Sequence, residues 1–219
     1  MTIVLDARTA TDHFPGIGRY VVNLAQSLAQ VAPKLGLTLL IDPLSFNARL
    51  ALPNLPKQVC PASPFSLRQQ WIVPRELRQA QAKLYHSAYY LMPYQPGAPT
   101  ILTCYDLIPL IYSQYFSATH RLIYRLANNL ALNAAQVVIT LSLSARAELV
   151  RYFGIDPNRI HVTPAAADSH FRPQSNEAIE IVRKKFGLPE RYVYTLAATS
   201  HTKISCDSLK PSRDCRQHS

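Results

Sequence analysis

The chain has 219 residues, enough for one domain or for one domain and the start of another. It is 48% hydrophobic and 16% charged, which is too apolar for a disordered protein. Its net charge is +10 without a dense run of lysine and arginine, so nucleic-acid binding is not expected. The four cysteines form no C-x-x-C pair, so neither a metal site nor a disulfide framework is expected. Without a signal peptide or a run of ~18 apolar residues, we expect a cytoplasmic protein.

Short apolar runs alternate with helical patterns along most of the chain. The predicted strands are 3–5, 37–41, a short strand near residue 59, 84–87, 100–104, 137–141 and 160–163. The predicted helices are 17–31, 118–135, one from Ser142 or Ser144 to Gly154, and 176–186. The helix at 118–135 is indicated by leucines four residues apart, at 122, 126 and 130. This alternation favours an α/β fold with a parallel sheet covered by helices on both faces.

The sequence Gly16-Ile17-Gly18-Arg19-Tyr20 lies at the start of the first predicted helix. Glycines there let the backbone approach a ligand, and a helix N-terminus offers free N–H groups to a phosphate or hydroxyl. A glycine-containing turn without a ligand is the alternative. A dinucleotide-binding loop is disfavoured, because Val21 occupies the third glycine position and the 6–16 loop is too long.

Asp106 follows the predicted strand at 100–104. Ligands of parallel α/β sheets bind beyond the carboxyl ends of the strands, so an acid at this position points toward the ligand crevice. The alternative interpretation is an aspartate that caps a helix or loop.

Three segments resemble glycosyltransferase family 4, an enzyme family of the GT-B fold. They are, in chain order, Asp6-Ala7-Arg8 with Gly16-Ile17-Gly18-Arg19-Tyr20; Tyr105-Asp106-Leu107-Ile108-Pro109 with Tyr115-Phe116-Ser117; and Val137-Val138-Ile139-Thr140-Leu141-Ser142 with 146–154, 159–164 and 168–173. Their order and spacing match the family over about residues 1–203. Together they are far more specific than any one of them alone.

The resemblance implies two Rossmann-like domains that face a cleft, the first holding the acceptor and the second the nucleotide-sugar donor. It implies retaining transfer to a sugar or lipid-linked acceptor in glycan or polysaccharide biosynthesis, with no metal or other cofactor. The residues that match family positions for binding acceptor or donor phosphate are Gly16, Gly18, Arg19, Asp106 and Lys203.

Two positions depart from the family pattern. Tyr105 replaces the histidine of the usual His-Asp-Leu-Ile-Pro motif, which changes the chemistry of that position. The usual Pro-Asn-Gly-Val-Asp loop is Pro164-Ala165-Ala166-Ala167-Asp168 here. Without its glycine we expect a different loop conformation.

The segment 65–84 carries basic residues, including Arg68, Arg75 and Arg78, among apolar residues such as Trp71. A solvated face over an ordinary core helix is the favoured interpretation. The alternative is peripheral contact with an anionic membrane, on its cytoplasmic face, since basic amphipathic segments bind such surfaces.

The resemblance predicts an acceptor-side domain at 1–173, a linker at 174–190 and the start of the donor domain at 191–203. Residues 204–219 lack a helical stripe, and back-translation with the frame slipped by one base at Lys203 permits a family-like K-N-L and amphipathic helix. We hypothesise a frameshifted tail that replaces the rest of the donor domain. Because the family's two-glutamate E-x7-E motif does not occur, we expect the chain as given to be inactive. A non-catalytic acceptor-binding module is the alternative, and a dinucleotide-dependent enzyme is less favoured.

Overall fold

The computed structural model describes residues 1–11, 13, 15–43, 52–167 and 171–189. The predicted start of the donor domain at 191–203, which includes Lys203, and the tail at 204–219 lie outside the described residues. The chain divides into two compact units, Met1–Ala166 and Ala167–Ser219. The first unit carries the sheet and the candidate site, and the predicted boundary at 173 stays a prediction.

In the described residues, seven strands form one parallel sheet. They are β1 (Thr2–Asp6), β2 (Gly36–Ile41), β3 (Lys57–Val59), β4 (Leu84–Ser87), β5 (Thr100–Thr103), β6 (Val137–Thr140) and β7 (Ile160–Val162). The strand order is β3-β2-β1-β4-β5-β6-β7, and every pair is parallel. All seven predicted strands in this part of the chain are therefore confirmed.

Helices connect the strands of the first unit. They are α1 (Pro15–Val31), α2 (Gln69–Gln79), α3 (Ile108–Ile111), α4 (Ala118–Ala134) and α5 (Leu143–Phe153), with 3-10 turns at Ser113–Tyr115 and Pro157–Arg159. The hydroxyl of Ser142 accepts a hydrogen bond from Ala145 N, and Gly154 ends α5 with a φ of 64°. The sequence predicted either Ser142 or Ser144 as the N-cap of this helix, and the N-cap is Ser142.

The helices cover both faces of the sheet. Val4 and Leu40 belong to a core cluster that includes α2, α4 and α5, whereas Leu5 and Leu39 belong to a cluster with α1. Successive strand residues point to opposite faces, so the two clusters are the two sides of one sheet. The predicted α/β architecture is confirmed.

The second unit is described through α6 (Asn176–Phe186). The Ser175 hydroxyl accepts from Ala178 N at its start, and Gly187 ends it with a φ of 60°. This helix matches its predicted limits.

Several helices expose apolar side chains, and α2 and α4 are two of them. The leucines that indicated α4, Leu122, Leu126 and Leu130, lie on its exposed side, and the side against the sheet carries smaller or polar residues such as Ala127 and Asn128. The favoured interpretation of 65–84 is correct for Val73 and Leu77, which are buried, but Trp71 is 71% exposed.

A buried ion pair holds the carboxyl end of β1. Arg8 donates from Nε and Nη2 to the Asp6 carboxylate over 2.9 and 2.6 Å, and Tyr85 of β4 donates its hydroxyl to the same carboxylate over 2.6 Å. Arg8 also donates to Ala62 O and, from Nη2, to Gln69 Oε1 at the start of α2. Both side chains of the pair are almost completely buried. One guanidinium therefore joins β1, the loop after β3, and α2.

Candidate functional site

A cleft of about 650 Å³ opens at the carboxyl edge of the sheet. The first turn of α1, the loop after β4, the segment after β5 and the start of α4 form its walls. Five tyrosines dominate its lining: Tyr20, Tyr89, Tyr90, Tyr105 and Tyr124. A cleft lined by aromatic rings with a few polar groups is typical of a small-molecule site.

The predicted site residues are distributed unevenly around this cleft. Gly16 and Asp106 both line it, and a Cβ placed on Gly16 would meet no atom within 4 Å, so the space above this glycine is open. Gly18 is buried within α1, and Arg19 is exposed on α1 but does not line the cleft. Lys203 lies outside the described residues. The roles assigned to all five residues stay predictions.

Asp106 combines both interpretations offered by the sequence. Its Oδ1 accepts from Ile108 N over 3.1 Å, which caps the short α3. Its backbone oxygen accepts from the Tyr124 hydroxyl over 3.0 Å, which joins this segment to α4. The carboxylate is also exposed in the cleft. Asp106 can therefore accept a hydrogen bond from a ligand hydroxyl while it holds the local backbone in place.

Tyr105 lines the cleft and carries an unpaired hydroxyl. Its ring packs edge-on against Tyr20, with centroids 5.5 Å apart, and its hydroxyl oxygen is buried without a hydrogen-bond partner. Burial raises the pKa of Tyr105, and the neighbouring Tyr20 adds to the rise, so the phenol stays protonated. A buried hydroxyl without a partner costs stability, and a ligand oxygen would remove that cost.

His86 lies behind this wall and was missed by sequence reasoning. Its Nε2 is 2.8 Å from Thr103 Oγ1, and that oxygen is 3.5 Å from the Tyr20 hydroxyl. Burial lowers the pKa of His86 to about 4, although the Asp6 carboxylate opposes the shift. The imidazole is therefore neutral near pH 7 and fixes the Thr103 hydroxyl on the cleft floor. No local motif marks His86, because its contact with Thr103 joins residues 17 positions apart in the chain.

The described part of the chain brings together no group of His, Cys, Asp and Glu side chains that could hold a metal ion. Among the same residues, no helix combines the length and apolarity needed to cross a bilayer.

Comparison with known proteins gives the family. The sequence profile of Glycosyltransferase Family 4 matches residues 15–171. No curated protein sequence matches significantly. Among solved structures, Anabaena Alr3699/HepE in complex with UDP and glucose is similar, with 18% identity, a TM-score of 0.58, and coverage of 85% of this chain and 50% of that chain.

Two further solved structures have the same fold. Anabaena Alr3699/HepE in complex with UDP-glucose shares 16% identity with this chain, with a TM-score of 0.57. The match covers 85% of this chain and 50% of that chain. A glycosyltransferase from Rickettsia africae shares 13% identity with this chain, with a TM-score of 0.52. The match covers 86% of this chain and 50% of that chain. The chain spans about half the length of the structures it matches.

The seven-stranded parallel sheet and the cleft at its carboxyl edge define a Rossmann-like half of a GT-B glycosyltransferase. The profile match extends over most of that half, from the first turn of α1 to beyond β7. The chain belongs to glycosyltransferase family 4.

The depressed pKa of His86 predicts a specific loss of stability in acid. The unfolded chain takes up this proton near pH 6.5 and the folded chain near pH 4, so the unfolded state binds more protons between these values. The contribution is fully present above pH 6.5, and it falls as the pH drops toward 4, by about 3 kcal/mol. We expect His86→Gln to lose this part of the pH dependence in urea unfolding between about pH 7 and 4.5. Equal losses in wild type and variant would contradict the assignment.

Proposed function

We propose that this chain supplies the acceptor-binding half of a retaining glycosyltransferase that moves a sugar from a nucleotide sugar to a glycan or lipid-linked acceptor. The observation that carries the proposal is the tyrosine-lined cleft, which combines Gly16, Tyr105 and Asp106 at the carboxyl edge of the sheet. The structures of HepE with UDP-glucose support a nucleotide sugar as donor, because that protein shares this half of the fold. No metal or other cofactor is proposed.

The cleft offers complementary groups for a sugar. Tyrosine rings provide flat apolar surfaces for the C–H faces of a pyranose. Asp106 accepts from a hydroxyl, and Tyr105 donates to an oxygen. The N-terminus of α1 at Gly16 adds backbone N–H groups and the positive end of a helix dipole, suited to an anionic donor phosphate.

Binding to immobilised oligosaccharides tests the cleft as an acceptor site. We expect the chain to be retained by a subset of glycans on an array, and Tyr105→Phe to weaken that retention about tenfold through loss of one hydrogen bond to ligand. The same variant removes an unpaired buried hydroxyl, so its free energy of unfolding should stay the same or rise. Weaker binding with unchanged or higher stability separates a binding role from a structural one.

The matched control is Gln30→Ala on the exposed side of α1, away from the cleft lining. It should leave glycan retention unchanged. Absence of retention on any glycan, or equal retention by wild type and Tyr105→Phe, would contradict the acceptor site.

We further propose that the polypeptide 1–219 does not catalyse transfer alone. Stabilisation of the departing diphosphate needs charged groups held opposite the acceptor, and the family's E-x7-E motif does not occur in these 219 residues. Incubation with radiolabelled UDP-glucose and glycans that the chain retains should give no labelled product. Labelled glycan above a heat-treated control would refute this.

A peripheral membrane contact through 65–84 is supported by the exposed side of α2. Trp71 is flanked by Arg68 and Arg75, which lie three and four residues away on the same side of the helix, and Leu67 is also exposed. Tryptophan and arginine together suit the boundary of an anionic bilayer, and we propose its cytoplasmic face. Cosedimentation with phosphatidylglycerol vesicles should fall when Arg68 and Arg75 are both changed to Glu. Equal sedimentation of wild type and variant would remove this proposal.

A further inference from the structure

The outer side of α4 is apolar and uncovered within the first unit. Leu122, Ile123, Leu126 and Leu130 are 58%, 61%, 55% and 48% exposed. They lie at helical spacing, so they form one stripe along the helix. We call these four residues the α4 stripe. Contiguous exposed apolar surface of this kind marks an interaction site in a folded protein.

An apolar outer side is not a general property of helices in this fold. The helix α1 has the same length of 17 residues and packs on the opposite face of the sheet. Its exposed residues in the middle and last turns are the polar Gln26, Ser27 and Gln30, together with Val31 at its last position. The α4 stripe therefore needs its own physical explanation.

The charged residues of the segment that carries the stripe are of one sign. Residues 107–135 contain Arg121 and Arg125 but no aspartate or glutamate. Arg125 is exposed beside the stripe, and Arg121 is half-buried. An apolar stripe whose own helix carries arginines and no acid fits an anionic, apolar partner. It does not fit a second copy of α4, because isologous pairing through this helix would bring like charges together.

The helices α2 and α4 pack on the same face of the sheet. Each precedes a parallel strand and runs back along the sheet, so their outer sides point in the same direction away from it. The outer side of α2 carries Trp71 with Arg68 and Arg75. The outer sides of the two helices therefore face the same side of the first unit.

We propose that the α4 stripe inserts into the interfacial layer of an anionic bilayer and forms a second membrane contact beside α2. This inference rests on the proposed membrane contact of α2. It gives α4 two functions, because its inner side supplies His120 and Tyr124 to the cleft. The acceptor head of a lipid-linked substrate then reaches the cleft along a helix whose outer side lies in the bilayer.

Tryptophan fluorescence tests the proposal directly, because Trp71 is the single tryptophan of the sequence. In a Trp71→Phe background, Leu126→Trp places a reporter on the α4 stripe, and Ser27→Trp places one on the exposed side of α1. Phe keeps an apolar ring at position 71. Each protein is mixed with a saturating amount of vesicles made of phosphatidylcholine alone or of phosphatidylcholine with phosphatidylglycerol. The acyl chains of the vesicles carry bromine, which quenches tryptophan fluorescence on contact. Circular dichroism verifies that each variant is folded.

We expect the Leu126→Trp emission to shift to the blue and to lose intensity on brominated phosphatidylglycerol vesicles, while the Ser27→Trp emission stays unchanged. With native Trp71 present, changing Leu122 and Leu126 to Ser should lower vesicle partitioning about tenfold or more, because two apolar side chains no longer enter the bilayer.

Each other outcome overturns the proposal in a distinguishable way. Quenching of native Trp71 without quenching of Leu126→Trp removes the α4 contact and leaves the α2 contact in place. Absence of quenching at both positions removes both contacts. Equal quenching of Leu126→Trp and Ser27→Trp shows that the protein enters the bilayer without a preferred orientation, which contradicts a specific contact through α4. A dimer in sedimentation equilibrium that Leu126→Ser dissociates, without quenching by lipid, assigns the stripe to a second copy.

Discussion

The buried pair of Asp6 and Arg8 is the interaction on which the carboxyl edge of the sheet depends. Burial alone would raise the pKa of Asp6, but the charge and hydrogen bonds of Arg8, with the Tyr85 hydroxyl, hold that pKa below its ordinary value. The carboxylate is therefore ionised inside the protein. A buried pair is stable only if its remaining donors and acceptors are satisfied, and here Ala62 O and Gln69 supply two of the partners.

This pair fixes the positions of elements that are distant in the chain. Arg8 follows β1, Ala62 lies in the loop after β3, and Gln69 begins α2. Gln69 in turn donates to Pro64 O over 2.5 Å, so the loop is held at two points. The guanidinium at the end of the first strand therefore anchors the start of α2, the helix that carries Trp71.

The sequence predicted the strands and helices because each strand is an apolar run between helical patterns, as at 84–87 and 137–141. It did not predict which side of α4 is buried. Helical spacing of Leu122, Leu126 and Leu130 indicates a helix, but the sheet accepts the smaller side, where Ala127 and Ala131 allow close approach. At the site, Gly16 and Asp106 could be found from local motifs. His86 and the burial of Arg8 could not, because they depend on partners far apart in the chain, Thr103 and Gln69.

The most direct test of this account is a double-mutant cycle on the free energy of unfolding with Asp6→Asn, Arg8→Met and the double variant. The account predicts that each single change costs about 3–5 kcal/mol, because it leaves a buried charge unpaired, and that the double change costs clearly less than their sum. Single costs below about 1 kcal/mol, as for exposed ion pairs, or strictly additive costs, would contradict it.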